Sequence, residues 1–145
     1  MLSGQVEGKL SIKNQAAFPK QFRQEMGGTL IVTKGIDKCL LVVSERNWET
    51  LLEGTKNMPF TDKATRELQR FFFGNAFEIQ LDKQGRFLMP EYLRLYAKIE
   101  REVVFVGVQR YIEIWSKTEW VKQQESIAKG IELLTINLTK SEGHE

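Results

Sequence analysis

The chain repeats itself, and this constrains its fold more than any other feature of the sequence. Residues 10–48 run in the same order as residues 81–120. Pro19 matches Pro90, Phe22 matches Leu93 and Arg23 matches Arg94 at one offset. After a one-residue shift, Gly35 matches Gly107, Leu40 Ile112, Val42 Ile114, Ser44 Ser116 and Trp48 Trp120. Such complete order points to duplication of one small unit. The expected fold class is therefore α+β and β-rich, with two tandem pseudo-symmetric modules and short helices.

Each unit follows one plan. A short strand (Gln5 to Leu10, or Phe77 to Leu81) enters a tight turn, and a second short strand leads to proline. The fixed φ of proline suits the first position of a helix. The first such helix, "PKQFRQEM", ends at Gly27, a natural residue just past a helix end. A hairpin of alternating strands follows, Thr29–Lys34 with Cys39–Val43 and Glu102–Val106 with Tyr111–Trp115. Ser44 and Ser116 are expected to cap a further helix, and Ser116 with Glu119 has the capping-box pattern. Between the units, "TDKATRELQRFFFG" reads as a helix capped near Thr61 and stopped at Gly74. The expected division is a first repeat at 1–58 (signature about 5–47), a bridging helix at 59–75, a second repeat at 76–138 (signature about 76–119) and a flexible tail at 139–145. Residues Gly54–Phe60 read as linker. The stretch "GIELLTINLTKSEGHE" weakens in pattern and then turns polar.

Composition excludes several classes. Of 145 residues, 41% are hydrophobic and 28% charged, which is ordinary for a globular protein. No apolar run reaches the length of a membrane span, and the start has neither a basic region nor an apolar signal core, so a cytoplasmic protein is expected. The single cysteine, Cys39, lies inside "CLLVV" and reads as a buried structural thiol. The single histidine, His144, lies one residue from the end. Metal sites built from clustered Cys and His, and Ser-His-Asp or Cys-His catalysis, are therefore not expected. No phosphate-cradling glycine motif appears and no carboxylate pair suggests a shared site, so no enzyme and no cofactor are expected. The net charge of +2 neither supports nor excludes a nucleic-acid partner.

The segment "LDKQGRFLMPEYLR" (81–94) resembles the signature of the MraZ family through Asp82, Gly85, Arg86, Pro90, Leu93 and Arg94. The resemblance extends over nearly the whole chain, including the duplication, the "QRFFFGNA" bridge and the length. It implies two tandem SpoVT/AbrB-like swapped-hairpin modules. It further implies a ring-like homo-oligomer that binds short direct repeats in double-stranded DNA. Those repeats lie upstream of the cell-division and cell-wall gene cluster, and the usual role is repression. A nucleoid-associated protein with no membrane or small-molecule substrate is expected. The first copy departs from the pattern: Ser11 stands at the Asp position, Asn14 at the Gly and Gln15 at the Arg, while Lys13, Pro19, Phe22 and Arg23 are retained.

These residue types suit the task. Gly85 supplies the positive φ that a tight turn needs. Asp82 can accept backbone N–H groups at the turn start and so shapes the turn without touching DNA. Arg86 then leaves at a fixed angle and can meet a phosphate or a guanine edge with two hydrogen bonds. The alternative is a salt bridge with Asp82 or Glu91 that only stiffens the hairpin. In the first copy, Asn14 tolerates the left-handed conformation. Gln15 could read adenine, and Lys13 could hold a phosphate as a point charge. Lys20, Lys83 and Lys9 are surface candidates for phosphate contact. Pro19, Arg23, Pro90 and Arg94 read as structural members of the motif. In "FFF" (71–73), one or two rings should face another module or subunit, the best sequence sign of oligomerisation. The competing functional reading is an oligomeric interaction or scaffold protein that has lost DNA binding.

Overall fold

Strands form where apolar residues alternate or run together, and their burial follows from their place in the sheet. The structure is a computed structural model and describes residues 1–142. In chain order the elements are β1 (Leu2–Lys9), β2 (Gln15–Ala17), α1 (Lys20–Met26), β3 (Thr29–Lys34), β4 (Leu40–Ser44), α2 (Glu45–Trp48) and α3 (Lys63–Phe72). The second half has β5 (Phe77–Gln80), β6 (Arg86–Leu88), α4 (Glu91–Tyr96), β7 (Glu102–Gln109), β8 (Ile112–Ser116) and α5 (Lys117–Glu142). A short 3-10 turn spans Glu53–Thr55 between α2 and α3.

The two repeats exchange strands. Six strands form one antiparallel sheet in the order β1-β7-β8-β4-β3-β5, and β2 pairs with β6 in a separate ribbon. Thus the first repeat's β1 lies on the second repeat's β7, and the second repeat's β5 lies on the first repeat's β3. Two pairings mark a pseudo-two-fold axis. In the sheet, Leu40 pairs with Ile114 and Val42 with Ile112 about Leu41–Glu113. In the ribbon, Gln15 pairs with Leu88 and Ala17 with Arg86 about Ala16–Phe87. This α+β architecture agrees with the expected fold class and interleaves the repeats around one shared core.

That core joins both halves. Phe18, Phe22, Leu30, Leu40, Leu93, Phe105, Ile112 and Ile114 are buried in one cluster. The Phe18 ring meets Phe105 edge-on at 5.5 Å and Phe87 at 6.2 Å. Burying an aliphatic or phenyl side chain of this kind contributes about 1.5–3 kcal/mol. The central strand β4, "LLVVS", is buried at all five positions, which explains its continuous apolar run.

Several local expectations need correction. Pro19 and Pro90 sit at the N-cap, with ψ of 133° and 137°, so each helix begins one residue later than expected. The cap of α3 is Asp62, not Thr61: its carboxylate accepts the Thr65 N–H at 2.9 Å. Ser116 accepts the Glu119 N–H at 3.4 Å, but the Glu119 carboxylate pairs with Lys122 at 3.6 Å, so only half of the capping box forms. Of the "FFF" rings, one meets the other repeat and one, Phe73, stays 40% exposed. Phe72 is buried, Phe71 packs on Phe72 and Tyr96, and Phe73 meets Trp48 edge-on at 5.0 Å. Helix α5 continues through Glu142, beyond the tail start expected at Thr139. The rest of that tail, with His144, lies outside the described residues.

Candidate nucleic-acid interface

Each motif turn is a corner where the chain leaves the large sheet for the β2–β6 ribbon. In the second corner, backbone bonds run from Asp82 N to Arg86 O at 3.1 Å and from Gly85 N to Asp82 O at 2.9 Å. The Asp82 carboxylate folds over the corner and accepts the Gln84 and Arg86 N–H groups at 2.9 and 2.8 Å. Its other oxygen accepts Arg86 Nε at 2.9 Å. The Arg86 backbone N–H foremost, with the guanidinium and the Gln84 N–H, holds this exposed carboxyl below its ordinary pKa. Gly85 adopts φ 76°.

The first corner repeats this frame with different atoms. Ser11 N donates to Gln15 O at 2.8 Å, and Asn14 N donates to Ser11 O at 2.9 Å. The Ser11 hydroxyl accepts the Gln15 N–H at 3.1 Å, doing for Gln15 what Asp82 does for Arg86. Asn14 adopts φ 62°. Two cross-repeat bonds tie the corners to the ribbon: Phe18 N to Gly85 O at 2.7 Å and Met89 N to Asn14 O at 2.9 Å. Because the ribbon is antiparallel, the corners project from its opposite ends.

Strand exchange decides which cations meet. Lys20, Arg23 and Lys83 line one open groove with Leu81 and Asp82, so first-repeat cations stand beside the second corner. The Arg23 guanidinium lies so close over Gly85 that a Cβ there would overlap it. Arg86 leaves the same corner with its side chain 52% exposed. Among the described residues its two terminal amino groups make no hydrogen bond. Lys13 and Gln15 stand at the other corner, where Lys9, Ile12 and Arg101 complete the surface. Lys13 and Lys83 are not equivalents: at the corners' common offset Lys83 corresponds to Ile12, which is 88% exposed.

The salt bridge anticipated as an alternative for Arg86 is present, with Asp82 as partner. It occupies only Nε and fixes the direction of the remaining donors. Arg94 packs differently from Arg23. Its Nη1 donates to the Ile99 carbonyl at 3.2 Å just past the end of α4, while its Nε is buried without a partner. Sequence reasoning missed Arg101 because strand pairing, not the repeat alignment, brings it to the corner: Leu10 N donates to Arg101 O where Leu81 N donates to Gly28 O. It also missed that Arg23 crosses to the other repeat's corner.

Among the described residues, no helix is long and apolar enough to cross a membrane. The family model of the MraZ protein, antitoxin-like by its description, matches residues 1–71 and again 72–133. A protein named transcriptional regulator MraZ from Caldanaerobacter subterraneus subsp. tengcongensis is 44% identical over 126 residues, covering 87% of this chain and 88% of that protein. One of the same name from Desulforamulus reducens is 40% identical over 138 residues, covering 95% and 97%. One from Clostridium acetobutylicum is 44% identical, covering 87% and 89%. The duplicated match and these near full-length identities lead to one conclusion: the chain belongs to the MraZ family of transcriptional regulators.

Proposed function

We propose that this chain is a sequence-specific DNA-binding repressor of the bacterial cell-division and cell-wall gene cluster, acting in the cytoplasm at the nucleoid as a homo-oligomer on repeated upstream sites. The observation that carries this reading is the second corner. There four cations, Lys20, Arg23, Lys83 and Arg86, stand around one carboxylate that is already used by the turn. Arg86 reads a guanine edge or clamps a phosphate with its free amino groups. Lys20, Lys83 and Lys13 act as point charges toward phosphates, and Gln15 offers an amide to adenine. Residues 1–58 and 76–138 act as the two repeats, bridged by 59–75. Each copy adds modest contacts, and the array gains through multivalency.

The uncharged Gln15 and the Asp82–Arg86 ion pair favour a second reading, an oligomeric scaffold that no longer binds DNA. Fluorescence anisotropy on the DNA upstream of the gene, with a shuffled control and a salt series, separates the two. The repressor reading expects preference for the native DNA and a steep loss with salt. Arg86→Ala should cost about 1–3 kcal/mol of binding to native DNA, typical for one bidentate base contact. Equal, weak binding of native and shuffled DNA, unchanged by Arg86→Ala, selects the scaffold.

A further inference from the structure

Helix α5 is the longest element, at 26 residues, yet it packs mainly on β7 and β8 through its first turns. Trp120 anchors it: its ring meets Trp115 at 5.4 Å and its Nε1 donates to Gln5 at 3.1 Å. Beyond that anchor, Ile127, Ile131, Leu134 and Leu138 are 46%, 55%, 57% and 66% exposed. They recur at intervals of four, three and four residues, the spacing of a coiled-coil seam. At 3.6 residues per turn they fall within an arc of about 60°, which also contains Trp120. Leu133 and Ile136 lie off this seam. The positions flanking it, Ala128, Gly130, Thr135 and Asn137, are uncharged, and Lys122, Glu125, Lys129 and Glu132 lie on the opposite face.

We infer that this seam is covered by α5 of a second copy, lying antiparallel. The inference gives the self-association proposed above a surface. Three observations select the occupant. Neutral flanks give an acidic or a basic partner helix nothing to gain, and an identical helix meets no repulsion there. The seam is self-complementary in one direction: run antiparallel, Ile127 faces Leu138 and Ile131 faces Leu134, so one two-fold axis satisfies all four layers. A parallel partner is blocked, because at the level of Trp120 the seam side is already filled by the chain's own sheet. Antiparallel overlap leaves the two sheets at opposite ends of the helix pair.

The test is the mass of the full-length protein in solution, by light scattering over a concentration series, for wild type and for Ile131→Glu with Leu134→Glu. Both residues are exposed and glutamate is a good helix former, so folding is kept and circular dichroism checks it. Losing an isologous contact divides the assembly, so the variant's mass should fall by about half. A second arm mixes two single variants, Ile131→Cys and Leu134→Cys, under mild oxidation; the native Cys39 is fully buried. The antiparallel seam expects a disulfide between the two variant chains. A disulfide within Leu134→Cys alone means a parallel pair and overturns the arrangement. Unchanged mass with no mixed disulfide overturns the surface while leaving self-association standing. A wild type that is monomeric throughout overturns both.

Discussion

Replacing Gly85 by alanine should separate the two tasks of the second corner. An L-residue held at φ 76° costs about 1–2 kcal/mol relative to glycine. The added Cβ would also overlap the Arg23 guanidinium, but that group is the end of a flexible side chain and can swing away. Stability should therefore fall by the backbone cost alone. For a chain of this size that is roughly 2–8 °C in Tm, at 2–4 °C per kcal/mol. DNA affinity should fall further than stability does, because Arg23 leaves its place without any change of charge. In a double-mutant cycle, Arg23→Ala should then cost little in the Gly85→Ala background. Asn14→Gly is the control: at φ 62° glycine keeps the turn as readily as asparagine does, so Tm should hold. Thermal unfolding and anisotropy on the same samples read both effects. An unchanged Tm for Gly85→Ala would refute the turn assignment. Fully additive losses with Arg23→Ala would refute the role given to Arg23.

Two further outcomes follow from titrating groups. The Asp82 carboxyl is held low, so its contribution is present above the unfolded value of about 3.9 and is lost as pH falls through the folded value. Carboxyl NMR should show Asp82 titrating below that value in the folded protein, and a midpoint at or above it would contradict the bonds described. Burial foremost, helped by Glu113, raises the Cys39 thiol, so its stabilising effect holds below the unfolded value of about 8.5 and is lost above it. A thiol reagent at pH 8 should label Cys39 only after denaturation; rapid labelling of the native protein would show that the site is not closed.

Short-range rules set the local features that were legible in the sequence. Ser44 caps α2 through the Asn47 N–H, and Gly27 ends α1 at φ 88°. Gly85 and Asn14 both take the positive φ read from their residue types. The misreadings came where a residue's partner is distant. The ring partners of "FFF", Trp48 and Tyr96, come from other elements and were not legible. The last helix looked weak because, among the described residues, nothing covers its seam.

The sequence by itself determined the duplication, the turn chemistry and the family, since each depends on residue types at short, fixed spacing. Only the tertiary structure decided which strands the repeats exchange. That exchange carries Arg23 onto Gly85 and brings Arg101 beside the first corner. The physical reason is that a strand's pattern specifies which face is buried but not which strand it pairs with. That choice is made by the shared core, to which both repeats contribute at once.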